Sequence, residues 1–133
     1  MDDLYRDYIL DHYKRPHHTG TLVAPDAHYE GFNPLCGDRI AVDLRIADGV
    51  VSEVAWQGRG CAISQASASL LSDEIKGKSL SAVEALVPDD VLDLLGIEIS
   101  PARLKCALLS LDTVLRALAE RAATKDTGSS DNR

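Results

Sequence analysis

Three cysteines and one aspartate are the residues of this 133-residue chain best suited to chemistry. Cys36 and Asp38 share the Pro/Gly turn NPLCGDR, Cys61 ends the stretch GRGC, and Cys106 ends PARLKC. Three thiolates and one carboxylate would supply four ligands, the number that tetrahedral zinc or one iron of a cluster requires. The small, odd number of cysteines argues against a disulfide framework. Spacing alone leaves two alternatives open: a reactive thiol beside an acid, and three unrelated cysteines packed as small apolar residues.

A β-hairpin is predicted between the first two cysteines. Asp48–Gly49 is typical of a type I′ turn, in which both central residues need a positive φ. Apolar residues line one face of the two strands: Ile40, Val42, Leu44 and Ile46 before the turn, and Val50, Val54 and Trp56 after it. Because a hairpin returns to the end at which it began, Cys36 and Cys61 are expected to be neighbours at its open end.

Helical patterns surround the hairpin. Helical spacing covers residues 4–14 and the segment that follows GRGC, and SLSAVEALV and PDDVLDLLG indicate two short helices. Ser100–Pro101 is a typical helix start. The long helix that follows has one apolar stripe, made of Leu104, Leu108, Leu111, Leu115 and Leu118.

These elements predict an α+β fold. The sheet is small, antiparallel and three-stranded, with AHYEGF as its third strand, and the helices pack on one face. A long amphipathic helix ends the domain. Residues 1–123 form one domain in this prediction, and the polar residues 124–133 form a disordered tail.

Cys106 lies between Leu104 and Leu108 and therefore off the leucine stripe, where a cysteine present only for packing is less expected. A helix packed across the sheet could bring it to the end that carries the other two cysteines. Four cations lie within three positions of a cysteine or of the aspartate: Arg39, Arg59, Arg103 and Lys105. Such cations would offset the negative charge of the ligands and favour thiolates.

The composition narrows the class of protein. The net charge of −7 and the sequence pI near 4.9 argue against a dedicated nucleic-acid binder, which normally has a basic surface. No stretch reaches the roughly 20 apolar residues of a membrane span, and MDDLYRDY lacks the features of a signal peptide. A cytoplasmic protein with neither a membrane nor a nucleic acid as partner is therefore the expectation.

Four blocks of the sequence closely resemble the U-type iron–sulfur cluster assembly proteins, the family of IscU, SufU and the N-terminal domain of NifU. The blocks are YRDYILDHYKRPHHTG, NPLCGDRI, GRGCAISQASASLL and PARLKCALLS, and the resemblance covers most of residues 4–118. It implies that Cys36, Asp38, Cys61 and Cys106 meet at one exposed end of the domain. It also implies that this site holds Zn²⁺ or a transient iron–sulfur cluster, with [2Fe-2S] as the expected form.

The resemblance implies a role in iron–sulfur cluster assembly. A member of this family accepts persulfide sulfur from a cysteine desulfurase of the SufS or IscS type. It then serves apo iron–sulfur proteins or a downstream scaffold, so it is at most a sulfurtransferase-type acceptor and otherwise a scaffold. Cys36 is the expected persulfide acceptor for transfer, and Cys106 competes for that role in a scaffold. Arg103 and Lys105 would tune the charge of the thiolates.

Two branches of the family make different predictions. IscU-type scaffolds have a histidine where this chain has Lys105, and an LPPVK-like stretch where it has GIEISPARLK. PARLKC, GDR and SQASASLL instead resemble the SufU branch, a zinc-containing sulfur acceptor. The stretch from Gly77 to Ser100 is too short, however, for the insertion that SufU proteins carry. Zinc-dependent transfer and cluster scaffolding both stay open, as does a structural zinc-binding adaptor without sulfur chemistry.

Three histidines precede the hairpin. His12 lies beside the apolar face of the first helix and is expected to pack in the core. His17 and His18 follow in a loop, where they form either a weak surface metal site or no site. None of the three is assigned as a ligand.

Overall fold

The computed structural model describes residues 2–34 and 37–131, with side chains for residues 7–34 and 37–123. Within these residues the chain forms five α-helices and three strands. In chain order they are α1 (Asp2–Lys14), β1 (Ala27–Asn33), β2 (Asp38–Ala47), β3 (Val50–Arg59), α2 (Ala62–Ile75), α3 (Leu80–Glu84), α4 (Pro88–Leu95) and α5 (Leu104–Asp131). A 3₁₀ turn, Pro101–Arg103, leads into α5. The predicted α+β class is confirmed.

The three strands form one antiparallel sheet in the order β1-β2-β3. Asp48 and Gly49 connect β2 to β3 with φ angles of 54° and 74°, the positive values that a type I′ turn requires. The predicted hairpin and the third strand are both confirmed. Because β2 is central, its first residue, Asp38, lies at the end of the sheet where β1 and β3 both finish.

A β-bulge changes which valine of β3 faces the core. The register shifts between Arg45 and Ile46, which pairs with Val51, so that Ser52 is the extra residue on β3. The Ser52 hydroxyl donates to the carbonyl of Arg45 (3.2 Å). Val51 is fully buried as a result, in place of Val50, which strict alternation places inward.

Helices cover one face of the sheet. Helix α5 packs on β1 and β2, α2 packs on β3 and α5, and α1 packs on α2. The core between them is apolar, and its members include Ile40, Val42, Leu44, Val54, Trp56, Leu71, Ile75, Leu111, Val114 and Leu118. On β1, the alternate residues His28, Glu30 and Phe32 are exposed, as expected for a sheet with one solvated face.

Helix α5 is buried over a wider arc than the predicted leucine stripe. Leu111 and Leu118 are buried, but Leu104, Leu108 and Leu115 are only half-buried. The other buried residues of the helix are Cys106, Ala107, Leu109, Ser110, Thr113, Val114 and Ala117. The sheet contacts the helix on one side and α2 and α4 contact it on another, so smaller residues are covered as well. Cys106 is only 5% exposed although it lies off the leucine stripe, so its position beside the stripe does not by itself indicate exposure.

Gly31 allows α5 to approach β1 closely. A Cβ atom at Gly31 would overlap Thr113 Oγ1 and lie 3.4 Å from Leu109 Cδ1. The Thr113 hydroxyl donates to the carbonyl of Leu109 (2.7 Å), which fixes its position in this contact. Leu109 lies one turn after Cys106, so the same contact sets the depth of the helix turn that carries the cysteine.

Helix α5 extends to Asp131 at the C-terminal end of the chain. The disordered tail expected from residue 124 stays a prediction. Residues 124–131 contain no proline, so every amide can extend the helical ladder. The domain limit at residue 123 stays a prediction. Among the described residues, no helix is both long enough and apolar enough to cross a membrane.

Candidate metal centre

Asp38 is the first residue of β2 and lies opposite Asn33 of β1. It is two residues before the buried Ile40, so strand alternation places both side chains on the face that the helices cover. Asp38 is only 1% exposed. Removing a carboxylate from water is costly unless hydrogen bonds or a metal ion compensate, so its surroundings carry functional information.

Cys61 lies where the chain leaves β3 and enters α2. It is the N-cap of α2, with an extended backbone (φ −72°, ψ 165°), which confirms the predicted element boundary. The preceding Gly60 has φ of +150°, a conformation that residues with a side chain rarely adopt. A Cβ atom at Gly60 would also overlap the Asp38 carboxylate. Glycine therefore permits both the turn and the close approach of the cysteine to the aspartate.

The Asp38 carboxylate contacts Cys61 through both oxygens. The backbone N–H of Cys61 donates to Oδ1 (3.2 Å), and the thiol donates from Sγ to Oδ2 (3.8 Å). The Ser64 hydroxyl donates to the carbonyl of Cys61 (3.1 Å) and lies 4.0 Å from its Sγ atom. These contacts connect the start of β2 to the first turn of α2.

Cys106, in the first turns of α5, completes a three-residue group with Asp38 and Cys61. One ligand atom from each, a carboxylate oxygen and two Sγ atoms, lies within 4.8 Å of the other two. Ligand atoms around tetrahedral zinc lie roughly 3.3–3.8 Å apart, as bond lengths near 2.0 Å to oxygen and 2.3 Å to sulfur require. The structure thus brings three of the four predicted ligands to one end of the sheet. Their role as ligands stays a prediction.

Cys36, the fourth predicted ligand, lies outside the described residues. The next residue, Gly37, is described: its φ is +75°, and its N–H donates to the carbonyl of Asn33 (2.8 Å). This hydrogen bond joins the two ends of the short NPLCG segment directly before Asp38. Cys36 therefore belongs in sequence to a segment whose two ends, Asn33 and Gly37, lie beside Asp38.

The donor set fits a metal ion of borderline or soft character. Two thiols and one carboxylate are ligands that Zn²⁺ and the iron of clusters accept, while Mg²⁺ and Ca²⁺ prefer oxygen alone. Zinc with four protein ligands would need one more donor, which Cys36 is predicted to supply. The residues that would hold the metal are therefore Cys36, Asp38, Cys61 and Cys106.

The four predicted cations all lie on the surface: Arg39, Arg59, Arg103 and Lys105 are exposed. The Arg39 guanidinium lies 4.8 Å from the centre of the Phe32 ring, in a cation–π contact. Lys105 lines an open groove of about 290 Å³ together with Phe32 and Leu108. Its neighbour Cys106 is buried, so the two adjacent residues have different surroundings.

Sequence reasoning missed Gly60 and Ser64. Both lie in the block GRGCAISQ that carries Cys61, so only their motif could have indicated them. Ser64 is fully buried and follows the N-cap by three positions, which is the spacing of a contact within the first helical turn. The contact of Gly60 with Asp38 depends on the tertiary arrangement and has no local signal.

Known proteins of similar sequence identify the family of this chain. Residues 4–127 match the family model described as the NifU-like N terminal domain. The zinc-dependent sulfurtransferase SufU of Bacillus subtilis is 34% identical, over 90% of this chain and 92% of that protein. The iron–sulfur cluster assembly scaffold protein IscU of Thermotoga maritima is 33% identical, over 86% and 92%. The SufU alignment spans 140 positions, more than the 133 residues here, so SufU has residues without counterparts in this chain.

Solved structures agree with the sequence matches. The N-terminal part of a nitrogen-fixing NifU-like protein from Brucella abortus superposes with a TM-score of 0.76 at 26% identity, covering 92% of this chain and 96% of that one. FiSufU from Fervidobacterium islandicum superposes with a TM-score of 0.70 at 26% identity, covering 84% and 94%. Motifs, fold and family model agree across nearly the whole chain. The chain therefore belongs to the NifU-like N-terminal domain family, which includes relatives named IscU and SufU.

Proposed function

We propose that this protein takes part in iron–sulfur cluster assembly by accepting persulfide sulfur from a cysteine desulfurase. The acceptor site consists of Cys36, Asp38, Cys61 and Cys106. The observation that carries the proposal is the meeting of one carboxylate and two cysteine thiols within 4.8 Å at one end of the sheet. Support comes from the relatives, which are named a zinc-dependent sulfurtransferase and iron–sulfur cluster assembly scaffolds.

Cys36 is the sulfur acceptor in this proposal. Cys106 is 5% exposed, and the thiol of the half-buried Cys61 already contacts the Asp38 carboxylate. A persulfide on another protein must reach the sulfur that attacks it, which disfavours a buried thiol. Cys36 belongs in sequence to the Pro/Gly segment NPLCG, directly before Asp38, and is therefore the favoured acceptor.

The transfer step exchanges one S–S bond for another. The Cys36 thiol gives up its proton, and the thiolate attacks the outer sulfur of the desulfurase persulfide. The S–S bond of that persulfide breaks, its cysteine leaves as a thiolate that takes up a proton, and a new S–S bond forms on Cys36. The sulfur only changes carrier, so no external oxidant or reductant is consumed.

Zinc bound by this donor set would keep the cysteine ligands in the thiolate form. The protein's own residues do the positioning. Asp38 fixes the backbone of Cys61 through its N–H, and Ser64 fixes the same residue through its carbonyl. Arg103 and Lys105, exposed beside the start of α5, would attract the anionic persulfide of the incoming desulfurase.

A cluster scaffold is the second candidate function. It is favoured by the relatives named IscU, and by a donor set that suits iron as well as zinc. A [2Fe-2S] cluster would then be the cargo, held by the same four residues before its delivery to apo iron–sulfur proteins or a downstream scaffold. Cys106 would compete with Cys36 for sulfur in that case.

The test combines desulfurase turnover with persulfide mapping. Zinc-loaded protein is mixed with a SufS-type desulfurase and cysteine, and alanine release is measured. Persulfides are then alkylated and located by mass spectrometry. We expect faster turnover and a persulfide on Cys36, with both lost in Cys36→Ser. The control His28→Ala, on the exposed face of β1, keeps both.

Each negative result removes a specific candidate. No stimulation together with no persulfide on any cysteine contradicts transfer and leaves the cluster scaffold and a structural zinc-binding adaptor. Anaerobic reconstitution with iron and sulfide tests the second candidate function, the cluster scaffold. Cluster absorbance that disappears in Asp38→Ala supports a scaffold, and the absence of cluster absorbance in the unsubstituted protein contradicts it.

A further inference from the structure

A second cluster of metal-ligating side chains lies on the other half of α2. His12 of α1, His17 of the following loop and Asp73 of α2 each have one ligand atom within 4.8 Å of the other two. Asp73 follows Cys61 by twelve residues, which corresponds to about 18 Å along the helix axis. The two clusters are therefore separate and cannot share one metal ion.

The loop after α1 is fixed on α2 and β3 by its backbone. The N–H of His17 donates to Ser69 Oγ (2.9 Å), and its carbonyl accepts from Trp56 Nε1 (2.7 Å). His18 has φ of +62°, which is uncommon for a residue with a side chain. Both imidazoles contact the same carboxylate: His17 Nδ1 lies 2.6 Å from Asp73 Oδ2, and His18 Nε2 lies 2.9 Å from Oδ1.

His12 lies beneath this pair and is only 5% exposed. Its Nδ1 atom lies 2.7 Å from Ser69 Oγ, and its ring centre lies 4.5 Å from that of His17. When Nδ1 donates its proton to the serine, Nε2 keeps a free lone pair, the form in which histidine binds metals.

We propose that His12, His17 and Asp73 form a second metal site, for a divalent ion of borderline softness such as Zn²⁺. Two imidazole nitrogens and one carboxylate oxygen are a donor set that zinc accepts, with a water molecule as the fourth ligand. The metal would separate His17 Nδ1 from Asp73 Oδ2, and the proton on Nδ1 would move to Nε2 through solvent. The ring stays neutral, so no other reactant is needed.

Two of the three proposed ligands, His12 and Asp73, have an outer hydrogen-bond partner that orients them. Ser69 contacts His12, and His18 contacts the second oxygen of Asp73. Such outer contacts commonly hold metal ligands in position. The side chains of His17 and Asp73 are 47% and 42% exposed, so a metal ion can enter from solvent without opening the core.

The bound ion would join α1, α2 and the loop between α1 and β1, with no part in the chemistry of the cysteines. It has a direct consequence for metal analysis, because zinc-loaded protein would hold two equivalents per chain. The total zinc content would then overstate the occupancy of the cysteine site.

The test is zinc stoichiometry by equilibrium dialysis against a competing chelator. We expect two equivalents for the unsubstituted protein and for His28→Ala, and one for His17→Ala. His28 is a matched control, because its Nδ1 also lies 2.6 Å from a carboxylate, that of Asp43, outside any three-ligand group among the described residues. Cys61→Ser should keep the histidine equivalent. The affinity lost in His17→Ala is expected to be at least about 100-fold.

A second readout needs no substitution. Zinc titration followed by NMR should shift the ring signals of His12 and His17 together, at the second equivalent, while those of His28 stay unchanged. A single zinc equivalent in the unsubstituted protein that His17→Ala leaves in place overturns the proposal. So does a second equivalent that survives His17→Ala, or ring signals that do not move. These outcomes do not depend on desulfurase turnover, so this proposal and the proposed function fail separately.

Discussion

The carboxylate of Asp38 holds Cys61 by its backbone and its thiol at once, through Oδ1 at 3.2 Å and Oδ2 at 3.8 Å. Asp38 begins β2 and Cys61 caps α2, so the pair fixes the start of the helix to the end of the sheet. A metal bound here would exchange the thiol contact for two metal–ligand bonds, while the contact to the backbone can persist. Substitutions at this pair can therefore distinguish an effect on metal binding from an effect on the stability of the fold.

Replacing Asp38 by asparagine should weaken metal binding at the cysteine site. The amide keeps the size of the side chain but loses the negative charge that a zinc ligand supplies. We expect zinc affinity to fall at least about 100-fold, measured by chelator competition in a His17→Ala background. Asp43→Asn is the control, because Asp43 is a buried carboxylate of the same strand. Equal affinities in the two variants would contradict a ligand role for Asp38.

A side chain at position 60 should disrupt the contact between Asp38 and Cys61. Gly60→Ala introduces a Cβ atom that overlaps the Asp38 carboxylate, at a φ of +150°. We expect the free energy of unfolding to fall by about 2–4 kcal/mol, from backbone strain and overlap together. Gly20→Ala is matched, with φ of +129° and open space around its Cβ, and should cost about 1–2 kcal/mol. Urea unfolding of both variants measures the difference, and equal losses would contradict the contact with Asp38.

The Ser64 hydroxyl should support metal binding beyond its contribution to stability. It donates to the carbonyl three residues earlier, as does the Ser72 hydroxyl to that of Ser69. Ser64→Ala and Ser72→Ala are therefore each expected to lower the free energy of unfolding by about 0.5–1.5 kcal/mol. Only Ser64→Ala should also weaken zinc at the cysteine site, by about 10-fold or more. A change of zinc affinity in both variants, or in neither, would show that Ser64 has no special role.

The close contact of Gly31 with Thr113 should control how deeply Cys106 is buried. Gly31→Ala introduces an overlap with Thr113 Oγ1 and forces α5 away from β1. We expect a loss of about 1–3 kcal/mol in unfolding free energy and faster reaction of Cys106 with a thiol reagent, followed in metal-free Cys36→Ser/Cys61→Ser protein. Adding Thr113→Ala removes the overlapping hydroxyl. It should restore part of the unfolding free energy and slow the reaction of Cys106 again. Additive effects of the two substitutions would contradict the contact.

The sequence could predict the elements and the arrangement of the hairpin. The Asp48–Gly49 turn and the alternation of β2 follow from local backbone chemistry, and so does the helix start at Cys61. The return of the hairpin brings Asp38 beside Cys61. The predicted contact of Cys36 with Cys61 stays a prediction, because Cys36 lies outside the described residues. These features depend on residues close together in the chain, where sequence patterns are informative.

The remaining features depend on contacts between distant segments. The extra residue Ser52 shifts the burial from Val50 to Val51 without any change in the apolar pattern. The burial of Cys106 follows from elements that cover α5 on more than one side, which a single apolar stripe does not show. His17 and Asp73 likewise meet only because the loop folds onto α2, so neither residue alone signals a site.

Zinc X-ray absorption spectroscopy of the His17→Ala protein, loaded with one equivalent, tests the central claim most directly. This variant lacks a ligand of the proposed histidine site, so zinc is expected to bind at the cysteine site. We expect three sulfur ligands at about 2.3 Å and one oxygen ligand at about 2.0 Å, with one sulfur lost in Cys36→Ser. A zinc environment made mainly of nitrogen and oxygen, or a sulfur count that Cys36→Ser leaves unchanged, would contradict a site built from Cys36, Asp38, Cys61 and Cys106.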